Sequence, residues 1–220
     1  ISDNITTDEL PVFRDLWKHI GSKMPKGTRG VNSNLDPLSI PLELQTALDV
    51  LYGHYKKTYE IWHKSGLKVP PCFIVVCNNT STSKVIYDYI SGHINENSDG
   101  SSQVMNGRLK LFDNFDEYGN SYPSPKTILI DSQQLESGEV LDKNFRNLAK
   151  TEIDQFRRDI IERTGDRNRG ENITDQELLR EVMNTVGKQG RLGESVRCVV
   201  SVSMLTEGWD ANNVTHILGV

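Results

Sequence analysis

The sequence predicts an α/β fold, a parallel β-sheet flanked by helices, and three observations carry that prediction. Four short apolar runs, Cys72 to Cys77, Thr127 to Asp131, the segment VRCVVSVS and the segment VTHILGV, are rich in β-branched residues. Runs without polar alternation belong to strands buried on both faces, as in a parallel sheet. Stretches with helical spacing separate the runs, and alternation of this kind implies strands joined by helical crossovers. Finally, the first run passes through a polar loop, CNNT, into residues that can cap a helix.

The elements follow in order. From Thr7 to Ile20 an amphipathic helix is expected, with Leu10, Phe13, Leu16, Trp17 and Ile20 as its apolar stripe. GSKMPKGTRGVNSNLDPLS reads as a connecting loop. Pro41 suits a first helical position, and Leu44, Leu48, Leu51, Tyr55, Tyr59 and Trp62 recur behind it at helical spacing. Such an aromatic stripe is read as packing. After the strand at Cys72, Thr80 or Ser81 caps a helix whose inner face is Val85, Ile86, Tyr89 and Ile90. Asn95 to Ser102 reads as a polar turn, followed by a strand and a hairpin-like excursion before Thr127. Beyond Asp131 come Leu141, Phe145, Leu148, Ile153, Phe156 and Ile160 along one helical side. A capping box, Thr174 with Glu177, then opens a helix through Leu178, Leu179, Val182, Met183 and Val186. The composition break near Val69 divides a helical lead-in, 1–69, from the α/β domain, 70–220, whose helical insertion occupies about 132–190.

Composition excludes several classes. No stretch approaches the roughly 20 apolar residues of a membrane span. The opening residues have neither the basic start nor the apolar core of a signal peptide. Without an initiator Met, the chain is expected to begin inside a larger polypeptide. Three cysteines without a CxxC spacing argue for free buried thiols and a reducing, cytoplasmic location rather than disulfides or zinc. A net charge of −5 means that any nucleic-acid contact must be local. Two basic patches are candidates: Lys18, Lys23, Lys26 and Arg29, and Arg157, Arg158, Arg163, Arg167 and Arg169. Acidic residues interleave the second, which reads as a solvated helix face.

Several chemistries are missing from the text. GKQGRLG has glycines and a lysine in the wrong order for a phosphate-binding P-loop, and it follows a helix instead of opening one. Asp116-Glu117 lies in a turn-rich stretch, not after an apolar strand. The five histidines are scattered, and no Glu-x-Lys on a second strand accompanies Asp131. No catalytic residue and no metal ligand is therefore assigned, and the chain by itself is expected to break no bonds.

What chemistry remains sits in Ser201-Val202-Ser203-Met204-Leu205-Thr206-Glu207-Gly208-Trp209-Asp210. A buried strand ends in a turn of small residues, Gly208 permits close approach, and Asp210 sets a carboxylate beside it. Carboxylates at the carboxyl ends of parallel strands are placed to bind ribose hydroxyls.

SVSMLTEGWDANNVTHIL resembles motif V of the superfamily 2 helicases, in the form where Glu precedes Gly-x-Asp, and CFIVVCNNTSTSKVIYDYI resembles their motif IV. The intervening text, including ILIDSQQLESGEVLDKNFRNLA and ENITDQELLREVMNTVGKQGRLGE, resembles the ATPase (Res) subunit of type III restriction enzymes, as does DPLSIPLELQTALDVLYGHYKKTYEIW. The likeness covers nearly the whole chain. It implies the second RecA-like domain of a motor that clamps ATP and Mg²⁺ between two domains and moves along double-stranded DNA, with a methyltransferase subunit as a further partner. In that family Glu207, Gly208 and Asp210 match positions at the nucleotide cleft. Asn79, Thr80, Val202 and Ser203 match positions on the nucleic-acid backbone. Val202 departs from the family, where Thr is common, so only its N–H can serve. The resemblance further implies that the phosphate- and Mg²⁺-binding motifs precede Ile1 and that an arginine motif, and any nuclease, follow Val220. Two other assignments fit the same text: a motor of this superfamily without a nuclease, and a non-catalytic adaptor that keeps the fold.

Overall fold

In the computed structural model, which describes residues 15–25, 36–96, 100–122, 124–130, 150–202 and 211–220, the four apolar runs pair into one sheet. The strands are β1 (Cys72–Cys77), β4 (Thr127–Ile130), β5 (Cys198–Val202) and β6 (Val214–Gly219). Their order is β4-β5-β1-β6, and every pairing is parallel. Registers such as Ile128 with Val199, and Ile74 with both Val199 and Ile217, leave β1 and β5 in the middle. These two are the most continuously apolar runs, as strands covered on both faces must be.

Period-two alternation divides their side chains between two cores. On one face Phe73, Val75, Cys77, Cys198, Val200 and Leu218 meet α1 (Leu16–Ile20), α2 (Leu42–Lys64) and α3 (Thr80–Ser91). On the other, Cys72, Ile74, Ile128, Ile130 and Val199 meet α4 (Lys150–Thr164) and α6 (Asp175–Asn184), with the short α5 (Arg167–Glu171) between them. The molecule is thus helix–sheet–helix in three layers. Residues on both sides of the composition break at Val69 share the first core: Leu44, Leu48, Leu51 and Tyr55 of α2 are buried with Phe73 of β1. The side of the predicted N-terminal helix before Asp15 lies outside the described residues, as do Leu141, Phe145 and Leu148 of the insertion, together with Asp131 and, in the first basic patch, Lys26 and Arg29.

Caps and turns account for most boundaries. Thr174 accepts from Glu177 N while the Glu177 carboxylate accepts from Thr174 N, the expected capping box, at 3.2 and 2.9 Å. Two cap assignments change. Pro41 precedes α2 as its N-cap rather than forming its first residue, with Leu44 N and Gln45 N donating to its carbonyl. Asn79, not Thr80 or Ser81, caps α3, because its side-chain oxygen accepts from Thr82 N at 2.9 Å. A third difference concerns the polar stretch after α3. His93–Glu96 (β2) and Ser102–Met105 (β3) form an antiparallel ribbon, so the turn is shorter than Asn95 to Ser102. This ribbon is largely exposed and lacks the apolar run that marks the other strands.

α6 ends at Asn184 with Thr185 as its C-cap, short of the expected Val186, and GKQGRLG forms the turn that follows. Gly187 and Gly190 have φ of +75° and +72°, a region open to glycine. Arg191 of the same turn is ion-paired with Asp159 of α4. Asp116 organises a loop, accepting from Tyr118 N and Asn120 N at 2.8 Å each. In the basic patches, Lys18 pairs with Asp15, Lys23 with Glu43, Arg157 with Asp154 and Arg167 with Glu171. These are exposed pairs of small energetic weight. Among the described residues no helix is long and apolar enough to cross a membrane. All three cysteines are buried, and desolvation pushes the Cys72 and Cys77 thiols up to about 12.

A histidine pair ties α2 to the edge strand. His54 Nδ1 lies 2.8 Å from His216 Nε2, and Thr215 Oγ1 lies 2.8 Å from His216 Nδ1. The rings of Tyr55 and Phe73 enclose His216, which is 4% exposed. Desolvation, then the neighbouring His54, lowers its pKa from 6.5 to about 4. The unfolded chain therefore takes up this proton below pH 6.5 while the folded chain resists until about pH 4. Stability is expected to fall as pH drops through that window, by at most about 1.4 kcal/mol per pH unit. Urea unfolding of wild type and His216→Gln at several pH values checks this: the variant loses that slope.

Candidate functional site at the carboxyl edge of the sheet

The sheet places the two motif-bearing strands side by side. Cys77, the last residue of β1, is in register with Val202, the last residue of β5. On the other side Asn78 N donates to Val220 O at 2.9 Å and Val220 N donates to Val76 O at 2.8 Å, so β6 ends level with them. Three strand ends therefore form one rim.

At that rim β1 and β5 lie side by side, and the sheet strands that follow them in the chain, β4 and β6, lie on opposite sides of the pair. From β1 the chain turns at Asn78-Asn79 into α3, on the first face. From β5 it leaves at Val202 and re-enters the described structure at Ala211, packed against the second-face core. Adjacent parallel strands whose connections diverge in this way open a crevice at their carboxyl ends, the usual ligand position in open α/β sheets.

Asn79 and Asn78 are exposed there, and Thr80 is half-buried at the first position of α3. Asn79 Nδ2 donates to Asn78 Oδ1 at 2.5 Å, which fixes the two amides together. Asn79 also accepts from Thr82 N and, through its carbonyl, from Ser83 N, so α3 begins rigidly at this point. The 12-residue helix brings the positive end of its dipole to the rim. One turn on, Lys84 adds a cation held by Asp88 and lying 5.5 Å from the Tyr87 ring centroid. The chemistry offered is amide donors, a hydroxyl and a helix N-terminus, all suited to phosphate oxygens and none to bond breaking.

Of the residues assigned from sequence, Asn79, Thr80 and Val202 are brought to this rim together. Ser203, Glu207, Gly208 and Asp210 lie outside the described residues. Asn78 was not singled out, although it shares the rim; the doubled Asn in CNNT was the available signal, and its partner Val220 is distant in sequence. Among the described residues no group of three or more His, Cys, Asp or Glu side chains is gathered to hold a metal ion.

Fold and rim together define a three-layer α/β protein in which β1 and β5 end side by side where the strand order reverses. No family model, no curated protein and no solved structure matches the chain.

Proposed function

We propose that the chain is the second RecA-like domain of a superfamily 2 nucleic-acid motor, of the kind found in the ATPase subunit of type III restriction enzymes. The observation that carries this reading is the register of Cys77 with Val202, which sets the motif IV-like loop and the start of the motif V-like segment on adjacent strand ends. Two stretches more than a hundred residues apart, matched to one family by text alone, need to share a rim for that reading to hold.

In this reading Asn79, Thr80, Ser203 and the N–H of Val202 rest on the DNA backbone, and Glu207, Gly208 and Asp210 face the nucleotide. ATP with Mg²⁺ is held chiefly by a companion domain, whose phosphate loop supplies the hydrolytic chemistry. The present chain supplies one wall: donors that position a strand without reading its sequence, and a carboxylate and a glycine toward the ribose side. A methyltransferase subunit and a cytoplasmic setting accompany the same proposal. The net charge of −5 makes the backbone contact local and strongly dependent on salt.

Asn79→Asp separates the functional role of the loop from its structural one. Asp caps a helix about as well as Asn, so stability is expected to hold within about 0.5 kcal/mol. A carboxylate against phosphates is expected to weaken duplex binding about tenfold, equal to about 1.4 kcal/mol. Fluorescence anisotropy with labelled duplex at low salt measures this. Unchanged affinity removes the loop from the interface.

A further inference from the structure

A second site lies at the opposite, amino edge of the sheet. There a pocket of about 160 Å³ is lined by Tyr59, Trp62 and Lys68 from the end of α2 and beyond, by Pro70, and by Ser195 and Arg197 from the lead-in to β5. Its walls are fixed by hydrogen bonds. Tyr55 Oη donates to Pro71 O at 2.8 Å, and Asn213 Nδ2 donates to Pro70 O at 2.8 Å. Phe73 N donates to Arg197 O at 2.8 Å, tying the two lead-ins together.

Arg197 is the unusual member. Its guanidinium carbon lies 4.8 Å from the Tyr59 ring centroid, and Nη1 donates to Leu111 O at 3.1 Å. Its Nε is buried and has no hydrogen-bond partner among the described residues. A buried donor without an acceptor is costly and rare in folded proteins. Arg197 lines the pocket, so an acceptor bound there meets a guanidinium that the fold leaves incompletely satisfied.

Charge and shape narrow the ligand. Lys68 and Arg197 bring two cations against one lining carboxylate, Glu194, which accepts from Gly190 N at 2.6 Å, so the pocket keeps a net positive charge. Trp62, half-buried and one turn beyond Tyr59 on α2, adds an aromatic ring to the lining, and the volume admits a single ring system. An anion joined to a planar ring meets both demands, since flat rings stack on aromatic side chains and an Arg fork binds phosphate oxygens. We propose that this amino-edge pocket binds one nucleotide unit, its base against Trp62 and its phosphate at Arg197 and Lys68. The unit comes either as a free nucleotide or as part of a single strand. The site is independent of the carboxyl-edge reading and shares no residue with it.

Calorimetric titration of the whole chain with AMP, with a short deoxyadenosine strand and with inorganic phosphate tests this. Saturable binding of AMP or of the strand, tighter than that of phosphate, is expected. AMP binding assigns a free nucleotide as the source, and binding of the strand alone assigns nucleic acid. Arg197→Lys, which removes Nε, and Trp62→Ala, at a half-buried position that leaves the fold intact, each weaken binding at least about tenfold. Ile217→Ala, at an exposed position of the edge strand outside both sites, leaves it unchanged. The proposal is overturned if neither nucleotide ligand binds, if Trp62→Ala binds as wild type does, if Ile217→Ala abolishes binding, or if a proline-rich peptide fills the pocket where nucleotides do not.

Discussion

Phe73→Ala is expected to lower the stability of the folded chain by about 3–5 kcal/mol, the range for truncating a fully buried aromatic ring. Phe73 is 0% exposed and sits at the centre of the first core. Its ring centroid lies 5.7 Å from Phe112, 5.8 Å from His216 and 6.4 Å from Tyr55. These partners come from the excursion before β4, from β6 and from α2, so the resulting cavity touches three elements that meet at this ring. In a chain of this size the loss corresponds to a fall in Tm of roughly 6–20 °C. Ile217→Ala provides the contrast. Ile217 lies on the edge strand and is 64% exposed, so its truncation is expected to change stability by no more than about 0.5 kcal/mol. Thermal unfolding of both variants checks the pair; equal effects would remove Phe73 from its central position.

Gly193→Ala is expected to cost about 2–4 kcal/mol, in the upper range for a substitution that forces backbone to move. A Cβ at this position would stand 2.3 Å from Val182 O and 2.5 Å from Val186 N, both main-chain atoms of the α6 terminus. Neither can swing away as a side chain would. Gly193 N also donates to Thr185 Oγ1 at 2.9 Å, so the turn cannot shift without losing that bond. By comparison, Gly53→Ala meets nothing within 4 Å on the exposed side of α2 and is expected to be stabilising by a few tenths of a kcal/mol, from helix propensity. Denaturant midpoints for the two variants should therefore move in opposite directions. The glycines of GKQGRLG are thus kept by close approach and by positive φ, not by phosphate binding.

These residues illustrate what the text could and could not reveal. β1, β4, β5 and β6 were legible because strands buried on both faces must be apolar at nearly every position. The Thr174–Glu177 cap was legible because both halves of the motif lie within one turn. Of the β2–β3 ribbon a strand after the polar turn was legible, but β2 and the pairing were not, since exposed strands need no apolar pattern. Nor was the place of α2: its stripe announced packing but not which surface it covers, and only the folded sheet assigns Tyr55 to Phe73. The His54–His216 contact spans 162 positions, and isolated histidines in a sequence carry no sign of pairing.

The candidate site divides in the same way. The CNNT loop is recognisable as a strand-to-helix junction, yet the cap falls on Asn79 rather than Thr80 or Ser81, because Asn, Thr and Ser cap comparably and local text does not rank them. The neighbourhood of Asn79 and Val202 rests on a strand order, β4-β5-β1-β6, that no local pattern encodes. The amino-edge pocket joins Trp62 to Arg197 across more than a hundred residues, and an aromatic stripe on a helix gave no hint of it.

The central claim is that this chain forms one wall of an ATP cleft, with Asp210 facing the nucleotide. DNA-stimulated ATP turnover by the protein that carries this chain beside its phosphate-loop domain, compared with the Asp210→Ala variant at matched folding, tests that most directly. The account predicts turnover at least about tenfold lower, a rise of about 1.4 kcal/mol in the barrier, with an unchanged Tm. Turnover equal to wild type would contradict it.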